Sequence, residues 1–169
     1  MSPAGSATPF DAVFGLRPNL YAAFRDMSAV FWEQRLVDPV ILELCRLRIA
    51  QLHGCRSELA LRYAPARDAG LGEAKIAALE HHAEDPRFTR EERACLVLAE
   101  RFASDPHAIG DADAAAVVGA LGEDAAVGLL LALALFDGFA RFRVMLGIEP
   151  EDEQIRVVQA PATGCRSMD

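Results

Sequence analysis

Apolar residues along the chain recur mainly at the three- and four-residue spacing of an amphipathic helix. Sustained alternation of apolar and polar positions between hairpin turns, which is typical of strands, is nearly absent. We therefore expect an all-α domain, a bundle of about six to eight helices. The predicted helices cover approximately residues 19–31, 39–53, 55–69, 73–82, 90–102, 111–122 and 123–146.

Several of these helices have a start or stop signal of their own. Asp38 can cap a helix that begins with Pro39, because the first turn does not need the N–H that proline lacks. Gly54 is expected to end that helix. The segment Thr89–Glu92 matches a capping box. Pro65 falls inside the predicted helix 55–69, so we expect a kink there or a helix that restarts.

The two ends of the chain differ from its middle. Residues 1–17 are rich in Pro and Gly and are predicted to form a loose arm, and residues 153–169 a loose tail. The helical domain is assigned to residues 18–152. The first half of the predicted helix 123–146 is apolar on most sides, so we expect other helices to surround it.

Composition limits the possible functions. The 169 residues fit a single domain and have a net charge of −8. This acidity argues against partners that need a basic surface, namely nucleic acid and anionic membranes. The apolar stretch Ala125–Phe136 is shorter than the about 20 residues of a membrane span. The N-terminal residues show no signal-peptide pattern, so a cytoplasmic protein is expected.

The predicted helix 39–53 has polar residues within an otherwise apolar sequence. Glu43, Arg46 and His53 fall within about 80° of one another around the helix axis. They either form a solvated face with a Glu–Arg pair or meet another helix in the interior. Both interpretations stay open.

The predicted helix 55–69 places Cys55, Glu58 and Arg62 on one face. Cys55 would lie in the first turn, where unpaired N–H groups and the helix dipole favour a thiolate. It can equally be a small buried apolar residue. Glu58 and Arg62 can also form an exposed ion pair, worth about 0.2–0.5 kcal/mol.

The other cysteines and histidines are weaker candidates. Cys45 and Cys95 are expected to be packing residues, and no two cysteines have the Cys-x-x-Cys spacing of a redox dithiol. The adjacent His81 and His82 have no Cys or third His nearby in the sequence to complete a ligand set. We therefore predict no metal site and no cofactor.

Residues 42–71 resemble the core of the AhpD-like, or carboxymuconolactone decarboxylase-like, superfamily. The alkylhydroperoxidase branch of that superfamily has a Glu, eleven residues, Cys-x-x-Cys, three residues and then a His. Glu43 and Cys55 match this motif, whereas Glu58 replaces the second Cys and Arg62 replaces the His.

The resemblance extends beyond this motif. Segments 85–106 and 132–152 are similar to the superfamily's mid-chain and closing helices, so it covers roughly residues 18–152. It implies an all-α fold and a homo-oligomer, often a trimer or hexamer. In the peroxidase branch the second Cys attacks the hydroperoxide and the first Cys resolves the product as a disulfide. Glu58 cannot form a sulfenic acid, so this two-cysteine cycle is not expected here.

The decarboxylase branch opens a similar helix with Glu-Leu-x-x-His, which Glu58 and Leu59 match and Arg62 alters. Arginine cannot shuttle protons, but it can hold a carboxylate through two hydrogen bonds. The first hypothesis is therefore a non-redox acid/base enzyme of decarboxylase, lyase or isomerase type. Its substrate would be a small carboxylated or carbonyl compound.

In this hypothesis Glu43 is the general acid or base, and Glu58 is the second carboxylate or the partner that orients Arg62. Arg62 anchors an anionic group of the substrate or stabilises a developing enolate. Cys55 is a proton donor, a nucleophile or a wall of the pocket, and His53 is a reserve base. The second hypothesis is a thiol-dependent peroxidase in which Cys55 acts alone and an external thiol resolves it. The third is a binding or assembly protein without catalysis.

Overall fold

The structure, a computed structural model, describes residues 9–150 and 154–162. Within these residues it is mostly helical, as predicted, with nine α-helices, of which five are long. The helices are α1 Pro9–Gly15, α2 Pro18–Glu33, α3 Pro39–His53, α4 Arg56–Leu59, α5 Ala64–Asp68, α6 Glu73–Ile76, α7 Arg90–Ser104, α8 Asp111–Leu121 and α9 Glu123–Met145. Short 3-10 turns cover Leu79–His81 and Pro106–Ala108, and the strands are β1 Leu61–Tyr63 and β2 Arg156–Val158.

Helix α3 forms the centre of the bundle and packs against both α7 and α9. Its residues are buried from Ile41 to Leu47 and again at Ile49 and Ala50. A helix surrounded on all sides has apolar residues at almost every position, so its sequence shows little sidedness. Glu43 and Arg46 are the charged exceptions, and such groups need partners in the interior.

The capping signals act as the sequence predicts. The Asp38 side chain accepts a hydrogen bond of 2.7 Å from the backbone N–H of Val40. Gly54 ends α3 with a positive φ of 63°, which glycine adopts without steric cost. Thr89 and Glu92 form the predicted capping box at the start of α7. Asp38 and Gly54 thus define both ends of α3, the helix that supplies Glu43 and Arg46.

The predicted helix 55–69 does not exist as one element, and this expectation was wrong. The chain instead forms the single turn Arg56–Leu59, the strand Leu61–Tyr63 and the short helix Ala64–Asp68. Pro65 lies in the first turn of α5, where its missing N–H needs no partner. The helix therefore restarts, which was one of the two outcomes expected at this proline.

Strand β1 pairs with β2 in parallel, although no strand was expected. The register matches Leu61 with Arg156, Arg62 with Val157 and Tyr63 with Val158. The backbone N–H of Arg156 also donates to the carbonyl of Ala60 at 2.8 Å. Three-residue strands are too short to show alternation, and their partners are distant in sequence, so the local pattern did not reveal them.

Both ends of the chain have more structure than expected. Helix α1 lies within the arm 1–17, and β2 lies within the tail 153–169. Residues 1–8 and 163–169 of these segments fall outside the described residues, as do residues 151–153. The division of the chain at residues 18 and 152 stays a prediction.

Helix α9 is apolar along most of its length but only partly buried. By length and composition it is the one helix in the described ranges that could cross a membrane, and core helices of soluble proteins pass the same test. Leu129 and Leu133 are fully buried, whereas Val127 and Leu131 are 57% and 59% exposed. The expectation that neighbouring helices surround this segment is thus met on one face only.

Candidate active site

A buried arginine at the centre of the bundle binds two carboxylates. The Nε and Nη2 atoms of Arg46 each donate to one oxygen of Glu43 at 2.8 Å. Its Nη1 donates to Oε2 of Glu58 at 2.6 Å and to the carbonyl of Glu58 at 3.0 Å. Nη2 also donates to the carbonyl of Leu61 at 3.0 Å. Guanidinium has five N–H groups, and these five contacts use all of them.

Glu43 is fully enclosed and serves the local backbone as well as Arg46. Only 1% of the residue is exposed. Its Oε1 accepts a further hydrogen bond of 3.1 Å from the backbone N–H of Tyr63. The Glu43 carboxylate thus ties α3 to strand β1, because Tyr63 is the last residue of that strand.

Glu58 has a second cationic neighbour. Its Oε1 lies 2.8 Å from Nε of Arg143, on helix α9. Burial by itself raises the pKa of Glu58, but the guanidinium groups of Arg143 and Arg46 outweigh it and hold the pKa below its usual value. Glu58 is therefore a carboxylate at neutral pH.

Tyr63 lies against the same charges. The guanidinium carbon of Arg46 is 4.9 Å from the centre of the Tyr63 ring, and the ring stacks on Trp32 at 4.8 Å. Burial, followed by the charge of Glu58, raises the pKa of Tyr63 to about 12. Its hydroxyl stays protonated at neutral pH and can donate a hydrogen bond.

A cavity of about 320 Å³ lies next to these groups. Glu58, Arg46, Tyr63 and Arg143 form its polar side. The other lining residues come from α2, from α9 and from the chain at and after β2: Tyr21, Phe24, Arg25, Ser28, Trp32, Leu135, Phe136, Phe139, Ala140, Val158, Gln159, Ala160 and Pro161. The cavity wall therefore has six aromatic side chains and one carboxylate.

Of the five residues that the sequence proposed for the site, only Glu58 lines this cavity. Glu43 lies behind it, on the far side of the Arg46 guanidinium. The predicted pairing of Glu58 with Arg62 was wrong, because Arg62 lies in β1 and its Nη2 binds Glu73 at 3.0 Å. Arg62 also donates to two backbone carbonyls, so its guanidinium is occupied outside the cavity.

Cys55 and His53 also lie away from the lining residues. Cys55 is the residue before α4 rather than part of its first turn, is 1% exposed, and has Sγ 3.5 Å from the Ser57 hydroxyl. Nε2 of His53 lies 2.5 Å from Oδ1 of Asp137 on α9. Asp137 in turn accepts from Arg141 at 2.9 Å. The catalytic roles of Glu43, Cys55 and His53 stay predictions.

The remaining described cysteines are buried in the core. Cys45 and Cys95 have no exposed surface. Burial raises the pKa of Cys95 to about 12 and that of Cys45 well above its usual value. Among residues 9–150 and 154–162 no group of three His, Cys, Asp or Glu side chains could hold a metal ion.

Several residues of the cavity could not be predicted from the sequence. Arg46 belongs to the polar residues of the predicted helix 39–53, and no sequence pattern points to Arg143, Tyr63 or Trp32. Arg143 comes from α9, almost 100 positions after Arg46, so no local spacing connects them. An arginine on a helix buried on every side was the one available signal, because such a charge requires partners.

Residues 18–101 cover α2 to α6 and most of α7 and include Trp32, Arg46 and Glu58, and this segment matches the carboxymuconolactone decarboxylase family. Residues 18–101 belong to that family. The fold also matches the crystal structure of a protein of unknown function from Agrobacterium tumefaciens, described as a suggested antioxidant defence protein AhpD. The TM-score is 0.71 at 19% identity, over 83% of this chain and 97% of that one. No curated protein matches the chain.

The match of residues 18–101 to the carboxymuconolactone decarboxylase family and the AhpD-like fold confirm the resemblance drawn from the sequence. At 19% identity the structural match establishes the fold alone. The chemistry must therefore be argued from the cavity residues themselves.

Proposed function

We propose that this protein is a non-redox enzyme that moves a proton on a small carbonyl or carboxylated compound held in the aromatic cavity. The observation that carries the proposal is the position of Glu58. It is the one carboxylate lining the cavity in the described residues, and two guanidinium groups keep it ionised. An ionised carboxylate beside an apolar cavity can act as a general base.

The proposed step uses Glu58 and Tyr63. Glu58 takes a proton from the carbon next to a carbonyl group, and the C–H electron pair moves to the carbonyl oxygen as an enolate. The neutral Tyr63 hydroxyl donates a hydrogen bond to that oxygen. Glu58 then returns the proton to another carbon in an isomerisation. In an elimination the enolate electron pair instead forms a C=C bond as the bond to the leaving group breaks, and the leaving group takes the proton from Glu58.

Arg46 and Glu43 act as positioning residues in this proposal. Arg46 uses every N–H on protein acceptors, so it orients Glu58 rather than binding a substrate. The general base is thus assigned to Glu58 instead of Glu43, which the cavity does not reach. Arg143 contributes positive charge beside Glu58.

Two observations weigh against the alternatives. Cys55 is buried and lies outside the cavity lining, which does not favour a peroxidase that uses this thiol. An assembly protein without catalysis would be expected to have this interior filled, whereas a cavity of about 320 Å³ remains. A small-molecule substrate, a homo-oligomer and a cytoplasmic location remain parts of the proposal.

The test is proton exchange in heavy water. A panel of enolisable 2-oxo acids, 3-oxo acids and unsaturated lactones is incubated with the protein, and loss of the C–H signal is followed by proton NMR. We expect exchange that the Glu58→Gln variant lacks and the Cys55→Ser variant retains. Exchange that survives in Glu58→Gln, or Cys55-dependent consumption of an alkyl hydroperoxide with a thiol reductant, would overturn the proposal.

A further inference from the structure

The cavity has a buried end and an exposed end. Glu58 and Arg46 are 9% and 3% exposed, and Ser28 and Trp32 beside the cavity are buried as well. Arg25 and Gln159 are the two lining residues that are exposed. A bound molecule would therefore place one end against Glu58 and the other beside Arg25 and Gln159.

The exposed end has a cation available for a ligand. Within the described residues, Arg25 forms no ion pair with a carboxylate, and its guanidinium carbon lies 6.0 Å from the centre of the Tyr21 ring. At the buried end, the positive charge of Arg46 is matched by Glu43, and that of Arg143 by Glu58. Among the residues that line the cavity, the charge of Arg25 is the one that no described carboxylate balances. The cavity therefore offers a positive charge, although the chain as a whole has a net charge of −8.

The walls between the two ends are aromatic. Both tyrosines and the single tryptophan of the chain line the cavity, together with Phe24, Phe136 and Phe139. The rings of Phe24 and Phe139 lie 3.9 Å apart, and those of Trp32 and Tyr63 lie 4.8 Å apart. Aromatic walls of this kind favour a flat ring over a flexible chain of equal size.

We infer that the ligand of this cavity is an aromatic carboxylate, with its ring between the aromatic walls and its carboxylate at the mouth on Arg25. This inference rests on the proposed function for the identity of the site, since it names the substrate class for the cavity beside Glu58. The guanidinium of Arg25 donates to the carboxylate, and the side-chain amide of Gln159 adds a hydrogen bond. A second substituent of the ring, on the side away from the carboxylate, then reaches Glu58.

The test measures binding rather than turnover, by isothermal titration calorimetry. The probe is 3-phenylpropionate, compared with two analogues. The neutral 3-phenylpropionamide lacks the charge, and 3-cyclohexylpropionate keeps the charge but lacks the aromatic ring. We expect the probe to bind about tenfold more tightly than the amide and several-fold more tightly than the cyclohexyl acid. Equal affinities for the three compounds would overturn the inference.

Matched arginine variants test the position of the carboxylate. Arg25→Gln should weaken binding of 3-phenylpropionate about tenfold and leave binding of the amide unchanged. Arg17→Gln is the control, because Arg17 is exposed near the start of the same helix and does not line this cavity. Loss of affinity in both variants, or in neither, would overturn the inference.

Binding and proton exchange, measured on the same compounds, separate this inference from the proposed function. Arg25-dependent binding without proton exchange on any compound would support the inference and overturn the proposed function. Proton exchange confined to compounds without a ring or a carboxylate would do the reverse.

Discussion

Nη1 of Arg46 lies 2.6 Å from Oε2 of Glu58, twelve residues further along the chain. This contact joins the central helix α3 to the single turn α4. A helix of one turn is only weakly stable by itself, so α4 depends on tertiary contacts of this kind. The same guanidinium also binds the carboxylate of Glu43, which lies on α3 itself. Arg46 therefore links the core of the bundle to the carboxylate of the cavity.

The first prediction concerns the contribution of Arg46 to stability. Replacing Arg46 with methionine retains an apolar side chain but leaves Glu43 and Glu58 without this cation. Removing one partner of a buried ion pair typically costs about 3–5 kcal/mol, because the remaining charge stays buried. The free energy of unfolding, measured by urea denaturation, should fall by an amount in this range.

An exposed arginine supplies the control for that measurement. Arg87 pairs with Asp85 at 2.8 Å, but its side chain is 51% exposed. Replacing Arg87 with glutamine should leave the free energy of unfolding nearly unchanged, because an ion pair exposed to solvent contributes little. Similar losses in the two variants would contradict the claim that the Arg46 cluster holds the fold together.

The second prediction concerns pH. The pKa of Glu58 is lower in the folded protein than its ordinary value of about 4.3. Ionised Glu58 therefore stabilises the fold fully above that ordinary value, and the stabilisation is lost as the pH falls through the lower folded-state pKa. The free energy of unfolding should differ between the unaltered protein and Glu58→Gln by a constant amount from pH 6 to 8, then by less below about pH 4.

Glu84→Gln removes the same charge at an exposed position outside the cavity lining. Its free energy of unfolding should follow that of the unaltered protein over the whole pH range. A stability difference for Glu58→Gln that grows toward acidic pH would show that burial, not the two arginines, controls this carboxylate.

The third prediction concerns the thiols. Cys45, Cys55 and Cys95 are at most 1% exposed, so iodoacetamide should reach them only through local opening of the fold. We expect alkylation at neutral pH at least about tenfold slower than in the urea-unfolded protein, read for each cysteine by mass spectrometry. A brief pulse of alkyl hydroperoxide should leave these rates unchanged. Fast labelling of Cys55 that the pulse blocks would favour the thiol-peroxidase hypothesis instead.

The fourth prediction concerns β2 as a wall of the cavity. Val158 belongs to β2, and Gln159 to Pro161 follow it along the lining. Arg156→Pro removes the N–H that donates to the Ala60 carbonyl and should detach this wall, weakening binding of 3-phenylpropionate about tenfold. Arg156→Ala keeps that N–H and should bind nearly normally. Equal affinity in both variants would contradict a role for the strand pairing.

The fifth prediction concerns the exposed apolar face of α9. Val127 and Leu131 line a shallow apolar cleft with Leu36, which is 54% exposed. We propose that a second copy of the chain covers this face, in line with the homo-oligomer implied by the family resemblance. Leu131→Glu should reduce the mass measured by light scattering after gel filtration, and Ala83→Glu, at an exposed site elsewhere, should not. An unaltered mass in Leu131→Glu would exclude this face as the interface.

Local chemistry accounts for what the sequence predicted well. Asp38, Gly54 and the Thr89–Glu92 box act on backbone groups within four residues, so their effect can be read without the rest of the fold. The helical periodicity and the family motif around Glu43 also lie within short windows. These features fixed the helical class, the limits of α3 and the start of α7.

The segment after Cys55 shows where local reasoning failed. Its composition fits a helix, but β1 forms because β2, some 95 residues later, offers backbone partners in parallel register. That pairing takes Arg62 out of a helix and directs it to Glu73 rather than Glu58. Tertiary hydrogen bonds thus outweigh a modest local helix preference.

The sequence by itself predicted that the chain is helical, and its resemblance to the superfamily motif implies that Glu58 stands where two-cysteine redox chemistry needs a cysteine. Only the tertiary structure decided which charges meet Glu58, because Arg46 and Arg143 come from helices far apart in sequence. Because Arg46 lies in the buried part of α3, all five of its N–H groups must donate to acceptors inside the protein. That requirement places Glu43 behind the cavity and leaves Glu58 on its wall.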